Sequence, residues 1–412
     1  MTATRMVDVA VVGAGPAGLC AALALARDGF SVALVGAPEM RRDGRTVALL
    51  DGSVRLMKVL GAWQALEADA APLETMRLVD DTGSLFRPPP VAFRADEIGL
   101  EAFGWNIENA TLVAHLAEAL AQHGSAVHLP ANASDFSNAG EHAALSLADG
   151  TKVHAKLVVA ADGRNSRLRD AAGLRTRTWS YPQSALTAIL AHDRDHRDAS
   201  TEFHTRAGPF TLVPLPGRRS SLVWVVSPAQ GEHLSRLDDT ALEDAIERQA
   251  QSMLGRMRLD APRGLFPLSG LSVERYGAER IALVGEAAHV IPPIGAQGLN
   301  LGFRDVASLR DAVVDARAAG EDIGSAAALS RYEASRRIDV PLRTTAVDGL
   351  NRSLLAGFLP VDFMRGLGLV ALSSIGPLRR AVMREGVLPR LGAPRLMREP
   401  AQGESRGRDD SD

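Results

Sequence analysis

Apolar runs and a helical stretch alternate at the start of the chain. Residues 8–12 and 31–35 have the composition of short buried strands, and the Ala- and Leu-rich stretch 16–28 between them is followed by Gly29. A glycine just after such a stretch is a common helix stop. Strand, helix and strand together make a βαβ unit of about 30 residues. The pattern therefore predicts a parallel sheet that begins near the amino terminus.

The middle of the chain has a different pattern. Residues 186–227 contain several short strand-like runs separated by Gly, Pro or polar residues. This combination predicts an α/β nucleotide-binding domain that carries a second, mainly antiparallel lobe. Further strands are predicted at 127–129, 143–147, 153–160 and 281–284, and helices at 109–123, 239–254, 298–319 and from 325 into the region of 336.

Composition places the chain among ordinary globular proteins. It has 412 residues, of which 46% are hydrophobic and 23% charged, and its net charge of -3 gives no reason to expect a nucleic-acid partner. The single cysteine, Cys20, excludes an internal disulfide and a cysteine-based metal site, and it favours a reducing, intracellular setting. His192 and His196 lie four residues apart among aspartates, but we interpret them as a solvated turn and predict no metal site.

A glycine motif, Gly13-Ala-Gly15-Pro16-Ala17-Gly18, lies directly between the first strand and the first helix. Gly13 permits a tight turn, Gly15 lets the backbone approach a pyrophosphate, and Gly18 lets the helix pack closely on the strand. The free N–H groups at the start of the helix attract phosphate. The motif therefore predicts a dinucleotide site, without separating FAD from NAD.

The acidic residue that usually ends the second strand of such a unit, where it binds a ribose, is missing. Gly36 lies near that position, and the nearest carboxylate is Glu39. Either Glu39 reaches back from the loop or other groups hold the ribose.

Two further motifs follow predicted strands. The first is Ala161-Asp162-Gly163-Arg-Asn-Ser-Arg-Leu-Arg, and the second begins with Gly285-Glu286-Ala-Ala-His and continues through 292–305. Each is a strand-to-loop-to-helix junction that can present backbone N–H groups to a ligand. Taken alone, the second would be explained equally well by a tight turn lined with glycine.

Together the three motifs resemble those of FAD-dependent aromatic-ring monooxygenases. Residues 293–305 resemble the ubiquinone-biosynthesis hydroxylase branch of that family (UbiH type) in particular. The resemblance covers nearly the whole chain, because it also includes the Arg45-Thr-Val-Ala-Leu segment, residues 208–216 and residues 377–398.

The resemblance implies an α/β fold in which an FAD-binding Rossmann-like domain carries an inserted, mainly antiparallel sheet substrate domain and a C-terminal helical segment. The predicted FAD-binding domain comprises 1–75, 101–178 and 265–345, and the substrate domain 76–100 and 179–264. The helical segment is expected at 346–400 and a disordered tail at 401–412.

The resemblance also implies which residues contact the cofactor. The first glycines hold the FAD pyrophosphate, Arg45 contacts the cofactor, and the Asp162-Gly163 pair serves both FAD and the nicotinamide donor. The helix start at 297–300 faces the flavin ring. The full predicted set is Gly13, Gly15, Pro16, Ala17, Gly18, Arg45, Asp162, Gly163, Gly285, Glu286, Gly295, Gln297, Gly298, Leu299 and Asn300.

The sequence departs from the family pattern at two places. Glu286 stands where the wider family usually has aspartate, so the negative charge is kept but the carboxylate lies farther along the side chain. Pro292-Pro293 stands where members of this branch often have His-Pro, so no histidine role is carried to that position.

The activity implied by the resemblance is aromatic hydroxylation. NAD(P)H reduces FAD, reduced flavin takes up O2 as a C4a-hydroperoxide, and this species transfers OH to an electron-rich ring carbon. The first hypothesis for the substrate is a polyprenyl phenol intermediate of ubiquinone biosynthesis. Two alternatives stay open, a small soluble aromatic compound as substrate and a non-catalytic flavin-bound scaffold of a biosynthetic complex. No catalytic acid or base is identified.

The C-terminal segment combines charge and apolar residues. Residues 350–398 contain eight arginines among leucines and phenylalanines. Such a segment could lie on anionic lipid, bind subunits of a biosynthetic complex or pack on the FAD domain. We expect a cytoplasmic protein, with peripheral contact to the inner membrane face as one alternative.

Overall fold

The predicted amino-terminal βαβ unit is present in the structure. β1 is Thr4–Val12, α1 is Pro16–Arg27 and β2 is Val32–Val35, and the two strands pair in parallel. Every residue of β2 is buried, which explains its continuous apolar run. The structure is a computed structural model that describes residues 4–83, 89–293, 295–355, 376–387 and 392–398.

The remaining elements follow in chain order. The strands are β3 (Thr46–Leu50), β4 (Ala71–Pro72), β5 (Thr75–Asp80), β6 (Val91–Arg94), β7 (Gly104–Glu108), β8 (Ala126–Leu129), β9 (Ala133–Ala139), β10 (His142–Leu147), β11 (Lys152–Ala160), β12 (Thr176–His192), β13 (Ala199–His204), β14 (Pro209–Leu215), β15 (Arg219–Val226), β16 (Met257–Leu259), β17 (Gly264–Val273), β18 (Gly277–Ala278), β19 (Ile281–Leu283) and β20 (His289–Val290). The helices are α2 (Asp51–Val59), α3 (Trp63–Glu67), α4 (Asn109–Ala121), α5 (Arg167–Ala171), α6 (Pro228–Arg236), α7 (Asp239–Gln249), α8 (Gln297–Ala318), α9 (Ala326–Leu355) and α10 (Gly376–Val387). Short 3-10 helices lie at Ala95–Ile98, Gly285–Ala287 and Arg395–Met397.

The first sheet is built on parallel strands. Its order is β18-β19-β11-β1-β2-β8, and β10 and β9 extend it beside β11. The pairs β19-β11, β11-β1, β1-β2 and β2-β8 are all parallel. The helices α1 and α8 belong to the same hydrophobic core as these strands. This arrangement confirms the α/β class predicted for the fold.

The second sheet is mainly antiparallel. Its order is β20-β17-β12-β15-β14-β13-β5-β6, with β16 beside β12, and the pair β13-β5 is parallel. A smaller sheet, β3-β7-β4, lies next to the second sheet. Asn106 of β7 joins the two by donating a hydrogen bond to the Pro214 carbonyl of β14. The inserted antiparallel lobe is therefore confirmed. β17 runs to Val273 within the second sheet, and the domain boundaries themselves stay a prediction.

The second sheet is also joined to a loop that follows the first sheet. The two-residue strand β20 comes shortly after β19, and it pairs with β17, with His289 opposite Ser272 and Val290 opposite Leu271. The chain that leaves the first sheet at β19 is therefore tied to the second sheet by backbone hydrogen bonds.

A network of buried charges holds α9 against α8. Asp305 and Arg336 are both fully buried, with Arg336 Nε 2.8 Å from Asp305 Oδ1. Arg336 Nη1 is 2.8 Å from Asp339 Oδ2, and the Asp339 carboxylate also binds Arg304 and Arg343. Because removing charges from water is costly, such groups are stable only when each finds partners. The two helices therefore depend on this network for their relative position.

The described parts of the C-terminal segment pack on the body of the protein. Arg379 of α10 forms an ion pair with Glu97 and lies over the Phe93 ring, and Met383 is buried in the same cluster. Arg395 forms ion pairs with Asp311 and Asp315 of α8. The predicted helical character is confirmed for α9 and α10, whereas residues 356–375, 388–391 and the tail 401–412 lie outside the described residues.

Within the described ranges, the structure contains no helix that is both long and apolar enough to cross a membrane.

Replacing Arg336 by methionine should lower the free energy of unfolding by about 3 kcal/mol or more, because two buried carboxylates lose a partner. Urea denaturation measures the change. The matched control is Arg331→Met on the same helix, since Arg331 and its partner Glu321 are each 43% exposed. The control should cost less than about 1 kcal/mol. Equal losses in both variants would contradict the structural role of Arg336.

Asp339 should make the stability of the protein sensitive to acid. Burial alone would raise the pKa of Asp339, but Arg304, Arg336 and Arg343 outweigh burial and lower this pKa to about 2. The stabilisation is fully present above about pH 4, the unfolded-state pKa, and is lost as the pH falls through the folded-state pKa. In Asp339→Asn, the free energy of unfolding should therefore fall less steeply between about pH 4 and pH 2 than in the wild type. An equally steep fall in the variant would show that Asp339 does not cause the acid sensitivity.

Candidate functional site

The three motifs follow three neighbouring parallel strands. Those that begin at Gly13, Ala161 and Gly285 come after β1, β11 and β19, which lie side by side in the first sheet. Val12 at the end of β1 is in register with Ala160 at the end of β11. In open α/β sheets, ligands bind at the carboxyl ends of the strands. The fold therefore brings all three motifs to one edge, where a ligand site is expected.

Two glycines of the first motif are required by close packing. A Cβ atom on Gly13 would lie 2.3 Å from the carbonyl oxygen of Ala161, and one on Gly18 would lie 1.8 Å from the carbonyl oxygen of Gly13. Gly13 also has a φ of +107°, which other residues rarely adopt. These contacts match the roles predicted for Gly13 and Gly18. Pro16 is the first residue of α1, where its missing N–H costs no hydrogen bond.

Other glycines of the motifs border open space. A Cβ atom on Gly15, Gly163 or Gly298 would have no heavy atom within 4 Å. The helices α1 and α8 begin at this edge, and neither has a side-chain cap or an acidic residue in its first turn. Their first N–H groups and the positive ends of their dipoles are therefore offered to a ligand. This cradle suits the pyrophosphate of a dinucleotide.

The first and third motifs touch one another. A Cβ atom on Gly285 would lie 3.2 Å from the Cβ atom of Ala17, and the φ of Gly285 is +61°. The Gly285 N–H donates a hydrogen bond to Asp305 Oδ2, which also lies 2.6 Å from His289 Nε2. The buried charge network between α8 and α9 therefore reaches the Gly285 loop directly, and His289 has a structural role in it.

The Asp162 carboxylate is engaged within its own motif. Its Oδ1 accepts a hydrogen bond from Ser166 Oγ at 2.5 Å, and its Oδ2 accepts one from the Leu168 N–H at 3.3 Å. Asp162 therefore holds the start of α5, while the adjacent Gly163 adopts a φ of +82° beside open space.

The second and third motifs are joined by an ion pair. Arg164 lies 3.4 Å from Glu286, and the two side chains are 46% and 56% exposed. Beneath them, the buried Arg169 guanidinium donates a hydrogen bond to the Ala287 carbonyl. Glu286 therefore lies on the open rim of the cradle, with its charge balanced by Arg164.

Arg45 connects the cradle to the second sheet. Its guanidinium lies 5.9 Å from the centre of the Phe266 ring on β17. The hydrogen bond to Asp43 is the largest effect that raises the pKa of Arg45, and the charges of Glu39 and Glu286 add to it. Arg45 thus stays cationic beside the Gly285 motif and over the second sheet, and its contact with the cofactor stays a prediction.

Asn300 uses its side chain inside the protein. Its Nδ2 donates hydrogen bonds to the carbonyls of Ala48 and Ala296, and its Oδ1 accepts from the Leu50 N–H and from Ser53 Oγ. The side chain fixes the start of α8 against β3 and α2. A contact between Asn300 and a ligand would therefore involve the backbone.

The other residues at the start of α8 form a left-handed turn. Gly295 and Ala296 have φ values of +64° and +54°, and Gln297 Nε2 donates a hydrogen bond back to the Gly295 carbonyl. The Leu299 side chain packs against the main hydrophobic core. This turn directs the first N–H groups of α8 to the cradle.

The position after β2 carries no acid, as the sequence shows. Gly36 has a φ of +110°, and its carbonyl oxygen is 2.7 Å from His128 Nε2. A side chain here would be strained and would touch the backbone of Gly13 and Ala14. Glu39 is exposed. The two explanations for ribose binding, Glu39 or other groups, both stay open.

One face of the second sheet looks toward the cradle. On β15, the Ser221 hydroxyl bonds with Thr46 and Asn106 of the smaller sheet, and Val223 and Val225 share its face because strand side chains alternate. The other face carries Trp224 and its neighbours, which pack with α6 and α7. We call the Ser221 face the cleft face.

A row of in-register residues crosses the cleft face at Val223. Its neighbours are Thr187 of β12 and Thr211 of β14, and Thr211 is opposite Glu202 of β13. Val223 and Thr211 are only partly buried although their strands are central, which indicates a hollow above them. The next row includes Ala185 and Val225, with Phe266 beside them.

The cleft face carries a polar cluster in which His204 is buried and Glu202 and Thr211 are partly buried. Thr211 Oγ1 donates a hydrogen bond to Glu202 Oε2 at 3.2 Å, and His204 Nε2 lies 2.7 Å from Glu202 Oε1. Across Val223, Thr187 is 8% exposed, and its hydroxyl oxygen is buried without a hydrogen-bond partner. The sequence analysis singled out none of these four residues. The alternation Ser-Thr-Glu-Phe-His on β13 is the signal that could have placed Glu202 and His204 on one face.

Phe210 and Trp224 are aromatic residues on β14 and β15 that could either line a pocket or pack in the core. Both belong to the helix-packed face, and their rings meet edge to face with centres 5.2 Å apart. They are therefore core residues.

Comparison with known proteins agrees with this geometry. Residues 6–340 match the family described as FAD binding domain. The chain is 36% identical to ubiquinone hydroxylase UbiL of Rhodospirillum rubrum over 96% of this chain and 94% of that protein. It is 33% identical to 3-demethoxyubiquinol 3-hydroxylase of Escherichia coli over 92% of this chain and 97% of that protein.

Solved structures share the fold. The p-nitrophenol 4-monooxygenase PnpA of Pseudomonas putida superposes with a TM-score of 0.78 at 16% identity, covering 93% of this chain and 98% of that chain. The FAD complex of a single-residue variant of Klebsiella pneumoniae HpxO superposes with a TM-score of 0.75 at 20% identity, covering 93% and 99%. The chain belongs to the FAD binding domain family and is an FAD-dependent monooxygenase with NAD(P)H as co-substrate, in the branch that contains the ubiquinone-biosynthesis hydroxylases.

Proposed function

We propose that this monooxygenase hydroxylates the aromatic ring of a polyprenyl phenol intermediate of ubiquinone biosynthesis. The relatives that it matches along nearly their whole length are ubiquinone-pathway hydroxylases. The observation that carries the substrate class is the cleft face, which presents small apolar and hydroxyl side chains and a carboxylate beside the cradle.

The charge of the cleft face favours a neutral phenol over an aromatic acid. In the row at Val223 the charged side chain is Glu202, which is largely buried. A substrate carboxylate placed there would meet a like charge in a site partly shielded from water, which is unfavourable. A neutral phenol meets valine, alanine and threonine, which suit an apolar ring with an oxygen substituent.

The FAD is proposed to bind along the cradle. Gly13, Gly15 and Gly18, with the starts of α1 and α8, would hold the pyrophosphate and the flavin ring, and Arg45 and Glu286 would lie at the rim. When bound, the flavin supplies hydride acceptance and oxygen activation. The chain supplies backbone N–H donors, the position of α8 and walls that limit access of water. The predicted cofactor-contact set stays a proposal in this form.

Contact with a membrane or with subunits of a biosynthetic complex is proposed for the C-terminal region. A prenylated substrate is dissolved in lipid, so the enzyme must meet it at a surface. On α9, Ile338 and Leu342 are one turn apart and 77% and 61% exposed. This apolar pair, together with the nearby Arg337, supports a peripheral lipid contact.

Gly15→Val should abolish FAD retention without unfolding the protein. A Cβ atom on Gly15 would contact no other atom of the protein, so the valine side chain does not disturb the fold. It would instead occupy the volume proposed for the pyrophosphate. FAD content after purification and the thermal unfolding curve measure the two effects. Gly124→Val is the matched control, because its Cβ atom also has no neighbour and the residue lies at the end of another helix. Full FAD content in Gly15→Val would show that the first motif is wrongly assigned.

The substrate class can be tested with two phenols. Purified holoenzyme should form hydroxylated product in step with NAD(P)H oxidation when 2-prenylphenol is supplied. With 4-hydroxybenzoate it should oxidise NAD(P)H with little product, because the carboxylate is repelled from the cleft face. Chromatographic product analysis and NAD(P)H absorbance give the ratio. Coupled turnover of the acid, with none of the prenylated phenol, would reject the proposed substrate class.

A further inference from the structure

We propose that Thr211 and Glu202 are the proton-accepting pair for the substrate phenol, an inference that rests on the proposed function. A phenol has a pKa near about 10 and donates ring electrons far better as phenolate, so hydroxylation beside the oxygen gains from a base. The carboxylates of the cofactor motifs are engaged elsewhere, because Asp162 binds Ser166 and Leu168 and Glu286 is paired with Arg164. The polar cluster on the cleft face offers a base.

The position of the ring follows from the register of the sheet. Thr187 and Thr211 flank Val223 in one row, two strand spacings apart, which is roughly 10 Å. A single aromatic ring above the partly exposed Val223 fits between the two hydroxyls. The Thr187 hydroxyl is buried without a partner, a state that is costly and that an oxygen substituent of the ring would relieve.

The proton has a continuous path on the other side of the ring. Thr211 Oγ1 donates to Glu202 Oε2 and keeps its lone pairs for the substrate. The phenol O–H bond breaks as its proton passes to Thr211 Oγ1, while the proton of Thr211 passes to Glu202 Oε2. Thr211 is unchanged after the step, the phenol becomes phenolate, and Glu202 becomes a neutral acid. Glu202 stays a neutral acid while the phenolate is bound, so two negative charges never share the site. Because its side chain is 18% exposed, Glu202 returns the proton to solvent after the product has left.

His204 acts as a positioning residue for Glu202. Its Nε2 lies 2.7 Å from Glu202 Oε1, and its side chain is 7% exposed. Among the described residues, the register places Glu202 next to Thr211 on β14 and Leu78 on β5, and it places His204 opposite Asp80 on β5. Asp80 is itself bonded to Thr82, and it adds negative charge on this side of the sheet.

The test compares three variants with a control in the FAD-loaded enzyme. Thr211→Val removes the hydroxyl at nearly constant volume, Glu202→Gln removes the proton acceptor, and Thr211→Ser restores the path. The control is Thr201→Val on the opposite face of β13, where the hydroxyl is buried without a partner. Thermal unfolding and FAD content show that each variant is folded and loaded.

Two readouts are taken with 2-prenylphenol. Near-ultraviolet difference spectra of the oxidised holoenzyme report the fraction of bound phenol that is ionised, and product formed per NAD(P)H consumed reports coupling. We expect a phenolate signal in the wild type, in Thr211→Ser and in Thr201→Val. Thr211→Val and Glu202→Gln should lose this signal and lose coupled turnover by about a hundredfold.

The outcomes separate this proposal from the proposed function. A wild type that hydroxylates the phenol while binding it only in neutral form overturns the relay and leaves the proposed function standing. A phenolate signal that persists in Glu202→Gln or in Thr211→Val also overturns the relay. A wild type that binds 2-prenylphenol as phenolate but hydroxylates no phenol supports the relay and rejects the proposed function.

Discussion

The site depends on one buried carboxylate, that of Asp305. Its Oδ2 receives the Gly285 N–H and contacts His289, and its Oδ1 binds Arg336 of α9. Burial would raise the pKa of Asp305, but His289, Arg336 and the Gly285 N–H outweigh burial and lower it, so the group stays ionised. Because a buried charge without partners is so unfavourable, these contacts form together or fail together. The Gly285 loop, which is proposed to face the cofactor, is therefore fixed from behind by a fully buried charge.

What the sequence predicted well is local. The strand–glycine–helix units depend on backbone geometry at single residues, and Gly13 and Gly18 show this, since both would clash with neighbouring backbone if they carried a side chain. Because each requirement applies to a single position, it is visible in the sequence as a glycine at a fixed place between a strand and a helix. The α/β class, the antiparallel insert and the convergence of the three motifs followed from that order.

What it missed depends on contacts between distant parts of the chain. Arg336 is 31 residues from Asp305, and nothing in its own helix distinguishes it from exposed arginines such as Arg331. The predicted cofactor contact of Asn300 stays a prediction for its backbone, but the motif gave no sign that its side chain binds β3 and α2, about 250 residues away in the sequence. The role proposed for Glu202 depends on the strand register that places it beside Thr211, and this register is not visible in the sequence around Glu202. Pairing of this kind is set by the whole sheet.

The pairing of β17 with β20 has a consequence for how the two ligands of the enzyme influence each other. Phe266 on β17 forms part of the cleft face, and the same strand continues to Ser272, which is opposite His289. An aromatic ring bound on that face would therefore contact β17, and the other end of β17 pairs with His289, which contacts Asp305. Any shift transmitted along it changes the affinity for the nucleotide, and thermodynamic reciprocity requires that the nucleotide change the affinity for the ring by the same factor. The ladder is therefore the direct structural link between the two proposed sites, and any coupling between aromatic and nucleotide binding that runs through it would be equal in both directions.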